Sequence, residues 1–283
     1  MNSLELYESI FNEKFEPSDK QKKVGNYRLV EVIGKGAFGT VWKGKHVLTR
    51  NEVAIKVVPK KSILQRDRAK RRFLSETQAL KRLEHNNIVK LLTWMETDKN
   101  FYLVMEFICG ESLKRYLRKR GRISEYECKT YIGQITQALK YMHDQDIVHR
   151  DIKLDNIVLE KGKDRVKIID LGLSVNLSKV DNSRLCGSLH YMAPEVLDRQ
   201  AFSTAVDVWS LGVCLYHLVT GSHPFHHTSI RNMSNMYFHI LRGFTLPNSL
   251  TEECRDLLHN MLDMNPEDRI STENILIHAW LRS

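Results

Sequence analysis

Apolar and polar residues alternate over 27–33, YRLVEVI, and the alternation stops at Gly34, Gly36 and Gly39. Two further β-rich runs follow, TVWKGKHV and EVAIKVV, so the first sixty residues predict an antiparallel meander. After Pro59 the period lengthens, and a charged helix is predicted over roughly 63–84. KLLTWMET and FYLVMEF return to strand character, and from Ser112 onward the helical period dominates. Ser124 and Glu127 have the spacing of a capping box, and Tyr131, Ile135, Leu139 and Met142 fall on one helical face. Strands first and helices later predict an α+β chain of two lobes, with a hinge around Phe107 to Gly110. The first 26 residues are polar, carry Pro17 and lack strong periodicity, which predicts a tail or a short packed extension.

Composition narrows the class without naming a function. Of 283 residues, 42% are hydrophobic and 27% charged, which is ordinary for a globular chain. No run approaches the ~18 to 20 apolar residues of a membrane span, and the N-terminus lacks the basic and apolar regions of a secretory signal. The five cysteines are odd in number and form no CxxC pair, which argues against a disulfide framework or a zinc cage and for a reducing interior, cytosol or nucleus. The formal charge of +9 can favour acidic partners, including nucleic acid, and names none. Two basic stretches, KKSILQRDRAKRR (60–72) and LKRYLRKRGR (113–122), read as solvated helix faces, with a docking patch for phosphate or an acidic protein as the alternative. HPFHH (223–227) reads as a surface turn, with a transition-metal site as the alternative.

Four stretches carry chemistry. GKGAFG (34–39) fits G-x-G-x-x-G, but the strand formers Thr40, Val41 and Trp42 follow it, so a β-hairpin is predicted rather than a dinucleotide-binding helix start. Glycines at such a tip admit backbone N–H groups to phosphate oxygens, and Phe38 could cap them; alone, the motif is equally a plain turn. In VAIK, Lys56 shares a strand face with Ala54 and needs a partner for its ammonium. Glu76, on one helical face with Leu80, is the preferred acid, and Glu84 at the helix end is its competitor. IVHRDIKLDN (147–156) places Asp151 to accept a proton from a hydroxyl, Lys153 to neutralise a transferring phosphoryl group, and Asn156 to offer a neutral oxygen to Mg2+. VKIID then ends on Asp170, fourteen residues past Asn156, a separation that suits a hairpin returning both side chains to one oxygen-only metal site.

Together these stretches resemble the eukaryotic protein kinases from about Tyr27 to Trp280, with DLG (170–172) for the usual DFG, YMAPE (191–195), DVWSLGV (207–213) and Arg269 completing the series. The resemblance implies a bilobal protein-kinase fold: a small antiparallel β-sheet N-lobe with one main helix, and a larger, mostly helical C-lobe. It divides the chain into an N-terminal extension (1–26) and a kinase domain (27–281), with N-lobe about 27–106, hinge about 107–110 and C-lobe about 111–281. It implies ATP and Mg2+, with Ile33, Gly34, Lys35, Gly36, Ala37, Phe38, Gly39, Thr40 and Val41 in and beside the phosphate loop. Ile33, Val41, Ala54 and Val158 would surround the adenine, Met105 would be the gatekeeper, and the backbone of Glu106 and Ile108 would bond the base. Lys56, held by Glu76, would grip the α/β-phosphates, with Asn156 and Asp170 as metal ligands and Asp151 and Lys153 as the catalytic pair.

Lys153 in HRDIKLDN, with CGSLHYMAPE downstream, implies a serine/threonine kinase, most like the calmodulin-dependent and AMP-activated-like group. By the same resemblance Arg269 would pair with Glu195, and the Ser188 hydroxyl would lie near Asp151 and Lys153. Arg150 could receive a phosphate on Ser183, since Arg184 stands where that group commonly has a phosphorylatable Thr; autonomy without phosphorylation is the alternative. Glu111 would read a basic residue upstream of the modified one, although His217 stands where basophilic kinases often carry a second acid. The sequence ends just after HAWLRS, so regulation by an autoinhibitory tail is not expected. Leu171 in place of Phe should cost packing of about 1 to 2 kcal/mol while removing no catalytic group. Protein substrates and a monomeric catalytic domain are expected, in cytoplasm or nucleus, without membrane or nucleic acid. The rivals are a catalytically silent kinase-fold scaffold and nucleic-acid binding through the basic stretches, which salt-dependent DNA retention would reveal.

Overall fold

The alternating runs become strands of one six-stranded sheet: β1 (Lys23–Val24), β2 (Tyr27–Lys35), β3 (Thr40–His46), β4 (Glu52–Pro59), β5 (Leu91–Glu96) and β6 (Asn100–Glu106). They lie in the order β1-β2-β3-β4-β6-β5, and every neighbouring pair is antiparallel. The computed structural model describes residues 23–35, 39–64, 73, 77, 79–171, 173–177, 187–225 and 232–282. It divides into two compact units: Met1–Glu84 with Val89–Cys109, and His85–Ile88 with Gly110–Ser283.

In the first unit the period of two sorts the side chains of β4 and β6 onto two faces. Val53, Ile55, Tyr102 and Val104 join Val24 and Met95 in an apolar cluster, with Trp42 and Val57 packed against it. The other face of β4 therefore carries Ala54 and Lys56. Lys23 and Val24, inside the stretch expected as an extension, pair with Arg28 and Tyr27, and Val24 is buried. A short helix, α1 (Lys60–Leu64), leaves β4, and the Lys60 ammonium pairs with Glu96 and sits 5.2 Å from the Phe101 ring centroid. Beyond it the described residues 73, 77 and 79–82 are helical, with Phe73, Thr77, Ala79 and Leu80 buried. Phe73 stacks on Phe101 at 4.8 Å. The helix stops at Arg82, two residues before the expected end.

The second unit is mostly helical, with α2 (Leu113–Arg120), α3 (Glu125–His143), α4 (Pro194–Leu197), α5 (Ala205–Thr220), α6 (Met233–Leu241), α7 (Glu252–Met261), α8 (Thr272–Ile277) and α9 (Ala279–Arg282). Its strands β7 (Gly110–Ser112), β9 (Ile157–Glu160) and β10 (Val166–Ile168) make one small sheet, and β8 (Ile147–Val148) pairs with β11 (Val175–Asn176) in another. Ser124 caps α3, accepting the Glu127 N–H at 3.3 Å and donating its hydroxyl to the Glu127 carboxylate at 2.9 Å. The expected face of Tyr131, Ile135, Leu139 and Met142 is buried. Helix α5 is apolar nearly all round and buried on nearly all its length, as a helix at the centre of a unit must be. Its Gly212 lets Met261 of α7 approach so closely that an added Cβ would lie 2.9 Å from the Met261 Cβ. Among the described residues no helix is long and apolar enough to cross a membrane, and Cys109, Cys128, Cys214 and Cys254 are free thiols.

Candidate active site

The IVHRDIKLDN stretch is held at both ends by strand pairing. Upstream, Val148 of β8 pairs with Val175 of β11, and downstream Ile157 of β9 pairs with Ile168 of β10. The Ile169 N–H donates to the Asn156 carbonyl at 2.9 Å, so the hairpin sets residue 170 beside Asn156. Residues 149–156, and the described residues within 169–174, are thus two short segments clamped between the same pair of antiparallel ladders.

A buried carboxylate shapes the first of these segments. Asp207 of α5 accepts the backbone N–H groups of His149 and Arg150, each at 2.8 Å, and His143 Nε2 at 2.9 Å. Arg150 turns the chain there with φ +64°, a left-handed conformation that costs a non-glycine residue on the order of 1 kcal/mol and must be held by its surroundings. Burial pushes the Asp207 carboxyl up, but the His143 hydrogen bond and the charges and N–H of the histidines outweigh it and hold the group below its ordinary value. A carboxyl lowered on folding contributes stability that is present above its unfolded pKa, about 3.9, and lost as pH falls through the lower folded value. Acid unfolding of the intact chain should therefore begin at higher pH in His143→Ala than in the parent; identical acid transitions would show that the pair contributes nothing. His149 is fully buried, and burial lowers its pKa against the pull of Asp207, Asp151 and Asp170. Its Nδ1 accepts the Asp151 N–H at 3.1 Å, which puts the ring proton on Nε2.

These constraints deliver Asp151 into a ring of donors. Lys153 Nζ lies 2.6 Å from Asp151 Oδ2, and Asn156 Nδ2 donates to the same oxygen at 3.0 Å and to the Asp151 carbonyl at 3.0 Å. The Ser188 hydroxyl donates to Asp151 Oδ1 at 2.8 Å and accepts from Lys153 Nζ at 2.8 Å. Asp151 and Asn156 are each 8% exposed, so the group is sheltered but open at one edge. Asn156 spends its amide nitrogen on Asp151, which leaves its carbonyl oxygen as the atom turned to other partners. Asp170 is half-buried and Leu171, its successor, is buried at 1% exposure, filling an apolar position.

Further along, Arg269 and Glu195 meet as a bidentate pair at 2.8 and 3.0 Å, both almost fully buried. The guanidinium also donates to the Ala205 and Asp263 carbonyls and lies over the Trp209 ring. Arg150 Nε donates to the Leu173 carbonyl at 2.8 Å, and its guanidinium sits 5.4 Å from the Phe202 ring centroid. Ser183 lies outside the described residues. The Glu111 carboxylate is engaged by Lys119 at 2.6 Å and Arg115 at 3.3 Å. Helix α2 buries Leu113 and Leu117, while Lys114 pairs with Asp155 and Arg120 with Glu127. Those intrachain pairs favour the solvated-face reading of the 113–122 stretch.

In the first unit β2 and β3 form the expected hairpin, Lys35 opposite Thr40 and Gly34 opposite Val41. Val41 stands opposite Lys56, and Ala54 opposite Met105, so Val41, Ala54, Lys56 and Met105 share the face of the sheet turned away from the apolar cluster. Lys56 and Met105 are buried, and Ile33 is 46% exposed. An added Cβ at Gly39 would lie 2.1 Å from the Val57 carbonyl oxygen, so the loop's return admits no side chain there. The Glu106 N–H donates to the Lys90 carbonyl at 3.0 Å, and Ile108 is half-buried. Gly36, Ala37, Phe38 and Glu76 lie outside the described residues. The competitor Glu84 pairs with Lys90 at 2.5 Å on an exposed surface. Val158 belongs to the second unit, on β9 opposite Lys167 and Ser112.

Two residues central to this geometry had no role assigned from the sequence, Asp207 and His143. The available signal was a lone carboxylate in the apolar run AVDVWSLGVCLYHLV, a placement tolerated only where the acid is hydrogen-bonded.

The family described as the protein kinase domain matches residues 27–281. Sperm motility kinase 3A of Mus musculus is 38% identical over 258 residues, covering 90% of this chain and 49% of its own length. Sperm motility kinase 2B of the same organism is 37% identical over 258 residues, 90% of this chain and 51% of its own. Serine/threonine-protein kinase PLK4 of Nematostella vectensis is 34% identical over 261 residues, 91% of this chain and 26% of its own. The chain thus spans about half the length of the mouse relatives and about a quarter of the anemone one. A match running from the β2 strand to the last helix, with the Asp151 group and the Glu195–Arg269 pair inside it, is a family relationship: this chain belongs to the protein kinase domain family.

Proposed function

We propose that this chain is a serine/threonine protein kinase that transfers the γ-phosphoryl group of ATP to a hydroxyl of a protein substrate. The observation that carries the reading is the Asp151 carboxylate, sheltered and oriented by Lys153, Asn156 and Ser188. A substrate hydroxyl arriving at its open edge would be aligned by the carboxylate and would give up its proton to it. Lys153, already at hydrogen-bond distance from both Asp151 and Ser188, would meet the incoming phosphoryl oxygens as a fixed positive charge. Catalysis in this family is chiefly positioning and charge stabilisation, and a prearranged donor set serves both.

The donor chemistry around Asn156 and Asp170 fits Mg2+: a neutral amide oxygen and a carboxylate, brought together by the Ile169–Asn156 hydrogen bond. When bound, the ion would neutralise phosphate charge, and the two side chains would orient it. Val41, Ala54 and Met105 offer an apolar strand face for an adenine ring, with Lys56 on the same face for phosphates and Glu76 as its acid. The Glu106 N–H is committed to Lys90, which leaves its carbonyl for the base. The CGSLHYMAPE run supports the calmodulin-dependent and AMP-activated-like group. For an upstream basic residue, Glu111 would have to exchange Lys119 and Arg115 for the substrate.

The test is phosphate transfer from ATP to a mixed serine and threonine peptide library, with and without Mg2+. Transfer that needs Mg2+ and stops on chelation supports the reading. A folded chain that transfers nothing, even after treatment with an activating lysate, would leave the scaffold in its place.

Ser188 provides a finer check. Ser188→Ala removes two hydrogen bonds to charged groups; if the transition state loses the equivalent of one of them, about 1.5 to 3 kcal/mol, kcat/KM should fall about ten- to a hundredfold. Ser188→Thr keeps the hydroxyl and should retain most of the rate. Equal losses in both variants would show that the hydroxyl is not what matters.

A further inference from the structure

We infer that Arg115 and Lys119 are specificity-determining residues: they hold the Glu111 carboxylate in place of a substrate cation, so the chain selects no basic residue upstream of the acceptor. The inference rests on the protein-kinase reading above and concerns one flank of the same site. Glu111 lies on β7 opposite Leu159 of β9, and β9 begins directly after Asn156. Ser112 then caps α2, its hydroxyl accepting the Arg115 N–H at 3.3 Å. Residues four apart on a helix are surface neighbours, which brings Arg115 and then Lys119 to the side where Glu111 stands. Lys119 Nζ lies 2.7 Å from Glu111 Oε1 and 2.6 Å from Oε2, and Arg115 Nε lies 3.3 Å from Oε2. Both cations are more than half exposed, whereas Glu111 is half-buried and its Oε2 is closed to solvent. The first turn of α2 is tied to the catalytic segment by Lys114, whose ammonium is 3.1 Å from Asp155, four residues past Asp151.

A peptide whose hydroxyl sits at Asp151 spans about 3.3 Å per extended residue, so a side chain a few positions away passes this flank, on the upstream side where the kinase resemblance sets Glu111. The carboxylates there are already paired within the chain. Asp155 holds Lys114, Glu127 holds Arg120, and Glu160 holds Lys163 and Arg165. To reach Glu111, a substrate cation must displace Lys119 and Arg115, which are tethered to one helix beside the acid and so act at high effective concentration. The exchange makes one ion pair and breaks another of the same kind. Pairs with exposed cations are weak, and swapping them yields almost no net selection. A released Glu111 is a different surface: a half-buried carboxylate whose two oxygens suit the fork of an arginine. The two bases, more than the acid they cover, therefore set what this flank recognises.

The experiment uses the full chain and serine peptides that carry one Arg or Ala at successive positions on either side of the acceptor. It reads the Arg-to-Ala ratio of kcat/KM and, separately, of equilibrium binding by fluorescence anisotropy. A ratio taken within one variant cancels any general loss. In the parent it should stay within about twofold of one at every upstream position. In Arg115→Ala/Lys119→Ala it should rise by about three- to tenfold at one or two of those positions, more than a fully exposed pair gives because Glu111 is half-buried. Alanine is a strong helix former and both sites are exposed, so α2 keeps its shape. Adding Glu111→Gln to the double variant should return the ratio to the parental value, since the amide carries no charge. A parent that already favours Arg beyond twofold upstream, a double variant whose ratio does not rise, or a rise that survives Glu111→Gln would overturn the inference. If no peptide is phosphorylated the kinase reading fails instead, and the binding ratios still test the two bases, because Arg peptides must then gain affinity in the double variant in a Glu111-dependent way.

Discussion

Asp151→Asn is expected to lower kcat by two to four orders of magnitude, the usual contribution of a positioned base, while leaving the fold intact. The substitution is nearly isosteric, and its neighbours can adapt. Lys153 and Asn156 both donate to Oδ2, so the new amide would keep its oxygen on that side and turn its nitrogen toward Ser188, whose hydroxyl can accept as well as donate. What is lost is the charge and the basicity that align a substrate hydroxyl and take its proton. The outcome that matters is a large fall in kcat with KM for ATP and the thermal midpoint close to the parent's. A variant that transfers phosphate at near-parental rates would remove Asp151 from the mechanism. Asp170→Asn separates the metal from the base: it should raise the Mg2+ concentration needed for half-maximal transfer, which Asp151→Asn should not.

Arg269→Ala is expected to destabilise the second unit by about 3 to 5 kcal/mol, the cost of stranding a buried charge. The cause is Glu195, which is 4% exposed and receives both of its side-chain hydrogen bonds from the Arg269 guanidinium. Removing the arginine also leaves the Ala205 and Asp263 carbonyls without these donors and uncovers the Trp209 ring. A protein domain is stable by only about 5 to 15 kcal/mol, so the thermal midpoint should drop by about 10 °C. The double variant Glu195→Met/Arg269→Met should recover part of the loss, because an apolar pair leaves no charge behind. Thermal unfolding of the three chains checks this; a midpoint for Arg269→Ala within a degree of the parent's would show that the pair contributes little.

What could be read from the chain was whatever is local. The β2–β3 hairpin follows from alternation broken by glycines, the start of α3 follows from Ser124 and Glu127 three apart, and its buried face follows from the helical period. Asp151, Lys153 and Asn156 were legible for the same reason: they fall within six residues, and polar groups so dense after an apolar run need partners. The strand face shared by Val41, Ala54, Lys56 and Met105 follows from alternation, although pairing β4 with β6 across the sheet is what sets Ala54 against Met105.

The rest depended on contacts between residues far apart in sequence, and no local period reports those. Asp207 reaches back 58 positions to the His149 N–H, and it is this buried carboxylate that bends the chain at Arg150 and aims Asp151. Ser188 arrives from 37 positions beyond Asp151 to occupy its second oxygen. Glu111 looked available for a substrate until the turn of α2 brought Lys119 and Arg115 onto it. Which residues could do chemistry, and which strands and helices carry them, is written locally in the chain, because propensity and period act over a few residues. Which charges are already satisfied is settled by packing alone, because it depends on which distant segments come within a hydrogen bond's length of one another.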